Sequence, residues 1–201
     1  MTIAEKLVKV AEDMPKVYEA GQKSEYDRFW DAFQNNGGII NGTYMLAGYG
    51  WKDDNYNPKY PIKLSSCTGL FRFSQLTDTK VAIDLTGSSV GTHLFHEARL
   101  LKNIPLLEIK ESTTYANWFD SCFALEEIRF EGTIGQSLDL HWSTKLSMLS
   151  LASIIKALSK TASGQSITLP TTARQTYDNA TISGRWDELV AEYPNWSFKY
   201  A

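Results

Sequence analysis

Between Phe95 and Phe130 the chain repeats itself. Phe95, Ala98, Leu101 and Ile104 are followed, each 24 residues later (119 − 95 = 24), by Phe119, Cys122, Leu125 and Ile128, and Leu106 carries the match on to Phe130. A unit this short cannot bury its own apolar face, so it is stable only when copies stack and cover one another, as the turns of a solenoid do. Ser66-Cys67-Thr-Gly-Leu70-Phe-Arg-Phe73 reads as an earlier, degenerate copy, with Cys67, Leu70 and Phe73 at the spacing of Cys122, Leu125 and Ile128. Strand-like pieces, Lys80–Leu85 and Leu106–Ile109, lie between copies, and Ser137–Leu140 reads as another. Each unit is therefore expected to be a short helical or irregular piece followed by one strand.

The flanks differ from the repeats. Ile3, Leu7, Val10, Met14 and Val17 form an apolar stripe at helical spacing, kinked or restarted at Pro15, with Gly21 weakening any continuation, and Tyr26, Phe29, Trp30 and Phe33 supply a second face before the Asn35-Asn-Gly-Gly38 stop. This predicts a helical arm over 1–37, either packed on the body or self-associating as a short coiled coil into a homo-oligomer. The repeat domain follows over 38–201, closed by a cap from about 144 to 201. In that cap Ser150 is expected to cap a helix running to Lys160, and Ser166–Leu169 is read as a strand. Thr172–Asn179 and Arg185–Tyr193 read as helices, and Trp196–Tyr200 as a final strand. The fold class expected is α+β, a short solenoid with an N-terminal helical arm and an α/β C-terminal cap.

The composition narrows function mainly by exclusion. Twenty basic residues stand against 23 acidic ones, net charge −3, without a basic block, so neither nucleic acid nor an anionic membrane has an electrostatic partner here. No run reaches the length of a membrane span, and charges interrupt the first ten residues where an export signal needs an apolar stretch. Phosphate-loop, nucleophile-elbow and paired-cysteine zinc motifs are all missing, which predicts no cofactor and no metal. Cys67 and Cys122 read as reduced core residues. His93 and His96 could face the same way as ligands if their segment were helical, but read better as histidines on a repeat edge. Asp120, Glu126, Glu127 and Glu131 could pair for glycoside hydrolysis, or simply form a solvated edge.

One stretch has the composition of a contact surface. From Ile39 to Pro61 glycines and asparagines set turns among Tyr44, Tyr49, Trp51, Tyr56 and Tyr60. Tyr49, Trp51, Tyr56 and Tyr60 are the candidate ligand contacts, by stacking on a sugar or packing on a protein; the competing reading is that they cover the open end of the first repeat. Asp53-Asp54-Asn55 lacks the spacing and glycine of a calcium loop.

The Phe-x-x-Cys-x-x-Leu-x-x-Ile unit at Phe119–Ile128, with Ala98 in the cysteine position of Phe95–Ile104, resembles the BspA-like class of leucine-rich repeats over roughly Ser65 to Leu169. Leu138–Ser143, Leu151–Leu158, Gln165–Leu169 and Trp196-Ser-Phe are similar to the last repeat and cap of phage- and prophage-encoded members. Ile3–Leu7, Pro15–Gly21 and Phe29-Trp30-Asp31 resemble the N-terminal module of phage structural proteins. The resemblance implies a leucine-rich-repeat solenoid and a non-enzymatic binding or structural protein, tail-associated in a phage or prophage, that recognises a protein or a cell-surface glycan. It would then be a virion component, or otherwise lie in the bacterial cytoplasm. A bacterial adhesion module is the alternative setting, and a carbohydrate-active enzyme using acidic residues near Tyr44–Tyr60 the alternative activity.

Overall fold

Strand pairing follows the repeat. The computed structural model describes residues 39–43, 45–54, 56–58, 60–88, 91–181 and 184–201. The expected arm, with Ile3, Leu7, Val10, Met14 and Val17, lies outside these residues, as does Tyr44. Strands β1 (Ile39–Asn41), β2 (Ile62–Ser66), β3 (Ile83–Asp84), β4 (Asn103–Glu108) and β5 (Glu127–Glu131) form one sheet in sequence order, every neighbour parallel. Ile83 pairs with Leu107 and Ile104 with Ile128, one repeat step apart in each case (107 − 83 = 24 and 128 − 104 = 24). Between Ile104 and Leu107 the register slips against Phe130. Pro105 sits at that point, and having no N–H it cannot donate to the ladder, so the irregularity falls where no hydrogen bond is lost. A second parallel sheet holds β6 (Leu138–Asp139), β7 (Gln165–Leu169) and β8 (Trp196–Tyr200), with helices α1 (Met148–Lys156), α2 (Ala173–Ala180) and α3 (Arg185–Ala191) between its strands. The described residues thus form a mixed α/β arrangement built on parallel sheets.

A second hydrogen-bond ladder joins the segments that connect the strands. The amides of Gly69, Phe71 and Phe73 donate to the carbonyls of Thr92, Leu94 and His96, and those of His93, Phe95 and Glu97 donate to Ala116, Trp118 and Asp120, all at 2.8–3.0 Å. The residues two before and two after each phenylalanine adopt positive φ: Gly69 and Phe73, His93 and Glu97, Asn117 and Ser121, at 55–62°; the first four are themselves ladder donors, and the last two flank the acceptors Ala116, Trp118 and Asp120. For residues other than glycine this conformation costs about 1 kcal/mol each, which the ladder offsets. Inside, Phe71, Phe95 and Phe119 stack with centroids 5.4 and 5.6 Å apart and all three are buried. Burying one such ring contributes roughly 1.5–3 kcal/mol.

The stack corrects the expected register of the first copy. Phe71 is the counterpart of Phe95 and Phe119, and Ser74, not Cys67, stands in line with Ala98 and Cys122 (each step 24), all buried. Phe73 is only half-buried, because its left-handed backbone turns it out of the core. Cys67 instead lines up with Gly91 (91 − 67 = 24) and Tyr115. A Cβ on Gly91 would lie 1.9 Å from Cys67 Sγ, so the thiol occupies the space that the glycine leaves. Both cysteines are free and buried, and burial pushes the Cys67 thiol pKa up to about 11. The segments read as short helical or irregular pieces are turns.

The open edge of β5 is closed by α1. Its N-cap is Ser147, whose hydroxyl accepts from the Ser150 amide, and the helix stops at Lys156; the expectation of Ser150 as cap and Lys160 as end is corrected. Ser150 has another task. Its hydroxyl oxygen accepts from Ile128 N and that of Ser153 from Phe130 N, both at 2.9 Å, so two serines one helical turn apart take over the strand donors that no sixth strand receives.

Two substitutions test these contacts. Gly91→Ala is expected to cost about 1–3 kcal/mol in urea unfolding, and Cys67→Ala in the same chain to recover most of it, since the added methyl would then face Cys67 Cβ at 3.5 Å. An equal penalty in both backgrounds would remove the clash as its cause. Ser150→Ala leaves the buried Ile128 amide without its acceptor, an expected loss of about 1–3 kcal/mol. Hydrogen exchange at that amide should accelerate in step.

Candidate functional site

The four aromatic residues expected to meet a ligand do not act together. Tyr56 is fully buried: its hydroxyl donates to Thr79 O at 2.8 Å, its ring meets Phe71 edge-on, and Lys80 Nζ lies 5.7 Å from its centroid. It is a core residue and, contrary to expectation, has no surface to offer a ligand. Trp51 is half-buried. Tyr49 and Tyr60 are exposed, 65% and 64%. The loop carrying them is fastened to the body by Asp53, whose carboxylate accepts from the amide and hydroxyl of Thr77, and by Lys80 Nζ, which donates to the carbonyls of Asp53 and Tyr56. Partial burial works against an ionised Asp53, but the Thr77 bonds and the Lys80 charge hold its pKa below the usual carboxylate value. The Asp53–Asn55 oxygens noted in the sequence thus include a structural clamp.

Tyr49 belongs to a different group. Its ring stacks at 5.9 Å on Phe73, which stands one repeat step further along the chain (73 − 49 = 24). The Phe73 ring meets His96 edge-on at 5.8 Å, and His96 meets His93 at 5.1 Å. Arg72 places its guanidinium carbon 4.7 Å from the Phe73 centroid. Each imidazole also reaches a partner one repeat further on: His96 Nε2 lies 3.2 Å from Asp120 Oδ2, and His93 Nε2 3.2 Å from Asn117 Nδ2. These residues come from the positive-φ positions and their neighbours, where the connecting ladder holds the backbone and directs side chains outward. The outcome is a ridge of aromatic, imidazole and guanidinium groups on a rigid base.

Sequence reasoning missed Phe73 and Arg72 as surface groups, although the signal existed. Had the repeat been numbered from Phe71, the columns Tyr49/Phe73 and Arg72/His96/Asp120, each at a step of 24, would have been visible. The two histidines do come together, but on a turn with His93 at φ 60° and not on a helix. No group of three or more His, Cys, Asp and Glu among the described residues could hold a metal ion. Of the acidic residues considered for hydrolysis, Glu127 and Glu131 are exposed on β5 and Asp120 meets His96. Glu131 pairs across the sheet with Glu108, itself paired with Asp84. Partial burial and those two like charges raise the Glu108 pKa, with Lys63 working the other way.

Elsewhere, segment 110–112, the turn Gly135–Gln136 and segment 161–165 enclose an open polar cleft of about 650 Å³. Its one carboxylate, Glu111, accepts from the Ser159 hydroxyl at 2.6 Å. Phe123 and Trp142 form a second exposed aromatic pair, 5.4 Å apart. No helix among the described residues is long and apolar enough to cross a membrane.

His93 gives the ridge a measurable pH response. Partial burial, the neighbouring His96 and the Arg72 charge lower its pKa, with Asp120 acting in the opposite direction. A histidine depressed in the folded state binds its proton more readily when unfolded, so its contribution weakens stability as pH falls below about 6.5. In an NMR titration His93 is expected to titrate below that value, and Arg72→Gln to move it upward. An unmoved midpoint would show that Arg72 does not act on it.

No family model, no curated protein and no solved structure matches this chain.

Proposed function

We propose that the chain is a non-enzymatic binding and structural protein: a short BspA-like leucine-rich-repeat solenoid that presents the Tyr49–Phe73–His96–His93 ridge to a host or partner surface. Residues 1–37 would attach or oligomerise it, and a tail-associated component of a phage or prophage is the setting that the sequence resemblance favours. The observation that carries this reading is the ridge itself. Large aromatic and cationic groups are the side chains that dominate recognition surfaces when their rotamers are already held. Here stacking and the ladder beneath fix them before any partner arrives. A carbohydrate-active enzyme using acidic residues near Tyr44–Tyr60 would set a carboxylate pair before an aromatic pocket; the Asp53 carboxylate there is instead engaged by the amide and hydroxyl of Thr77.

Labelled full chain, measured by flow cytometry against a panel of intact bacterial cells, tests it. Tyr49→Ala with Phe73→Ala is expected to lower binding at least about fivefold, while Leu149→Ala, at a residue 67% exposed on α1, leaves it unchanged. Binding to no cell in the panel, or undiminished binding by the ridge variant, would overturn the reading.

A further inference from the structure

The ridge has an unbalanced set of charges. Arg99 is paired with Glu97 at 2.7 Å, and Asp120 with His96 at 3.2 Å. Arg72 has no ion pair among the described residues, and its Nε is buried without a hydrogen-bond partner. Its guanidinium is held against Phe73, the same ring on which the exposed Tyr49 stacks. A planar cation and a solvent-facing aromatic plane are thus anchored to one side chain.

We propose that this face binds an acidic polysaccharide, with a pyranose ring on Tyr49 and the carboxylate of that sugar or its neighbour on Arg72. The assignment rests on the ridge being a recognition surface and names its ligand class. The apolar face of a pyranose matches an exposed aromatic plane held in a fixed orientation. A carboxylate matches the donor fork of a guanidinium, which an ammonium could not replace with the same geometry. His93 and Asn117 add polar groups beside it for hydroxyls. With a net charge of −3 the chain exerts no general pull on polyanions, so the selection comes from this local cation and requires the ring as well.

Titration calorimetry of the full chain with oligogalacturonate, with maltohexaose as the neutral sugar and poly-glutamate as the non-sugar polyanion, decides it. Oligogalacturonate is expected to bind at least about tenfold tighter than either. Arg72→Gln should remove that advantage over maltohexaose, and Tyr49→Ala should weaken both sugars. If Arg72→Gln lowers the melting temperature, Arg72→Lys keeps stem and charge and should still weaken oligogalacturonate. Equal binding of maltohexaose, or poly-glutamate binding as tightly and indifferent to Tyr49→Ala, would overturn the proposal. So would an Arg72→Gln variant with unchanged affinity. If no sugar binds while cell binding still depends on Tyr49 and Phe73, the ligand class is wrong and the recognition reading stands; loss of both dependences ends both.

Discussion

Every other feature of the repeat region depends on the ladder of backbone hydrogen bonds between the connecting segments. A parallel sheet alone ties successive units together along one side only, and its two-residue β3 is too short to set a register firmly. The donors of Gly69, Phe71 and Phe73, repeated at His93, Phe95 and Glu97, tie the opposite side as well. Holding both sides at one common repeat step brings Phe71, Phe95 and Phe119 into a stack without any further specification. The left-handed residues around each phenylalanine are the conformational cost of the arrangement. They persist because changing one alone would disturb the bonds to a neighbouring unit.

A stack of this kind must end somewhere, and at β5 the end uses polar side chains in place of another strand. At β5 the hydroxyls of Ser150 and Ser153 receive the strand amides, while Ser147 N donates to Glu126 O. In the connecting loop after β1 the fastening is through Asp53 and Lys80, and Tyr56 covers the Phe71 ring. The difference in chemistry has a reason. An edge strand needs acceptors and donors at strand spacing, which serines one turn apart on a helix provide, whereas an open apolar face needs area, which a tyrosine provides.

The same ladder positions the surface. Because Phe73, His93 and their neighbours sit on backbone already held by two units, the side chains they project have little conformational freedom left. Arg72 lies against Phe73 and His96 against both Phe73 and His93, so the polar groups are ordered by the aromatic ones. A rigid, mixed aromatic and cationic ridge on an otherwise acidic chain is a local departure from the average surface. Composition averaged over the whole chain conceals it.

Periodicity in the sequence was enough to establish the repeat, its step of 24, strands at β3 and the end of β4, and the order of elements from β6 to β8, but not β2 or β5. Those features follow from local pattern, since apolar spacing and β-branched residues act within a few positions of one another. It misplaced the first copy by seven positions (74 − 67 = 7), setting Cys67 where Ser74 belongs, because Cys67, Leu70 and Phe73 fit the apolar spacing about as well as Phe71 and Ser74 do, and only the stack against Phe95 distinguishes them. It could not separate Tyr49 from Tyr56, two tyrosines in one glycine-rich loop, since which of them is buried depends on the clamp from Thr77 and Lys80 in the next unit of the chain. Nor could it show that Ser150 serves β5 and not its own helix. The sequence determined the repeating unit, whose cause is local; the tertiary structure decided which side chains face outward and which close the ends, because those depend on hydrogen bonds made between units.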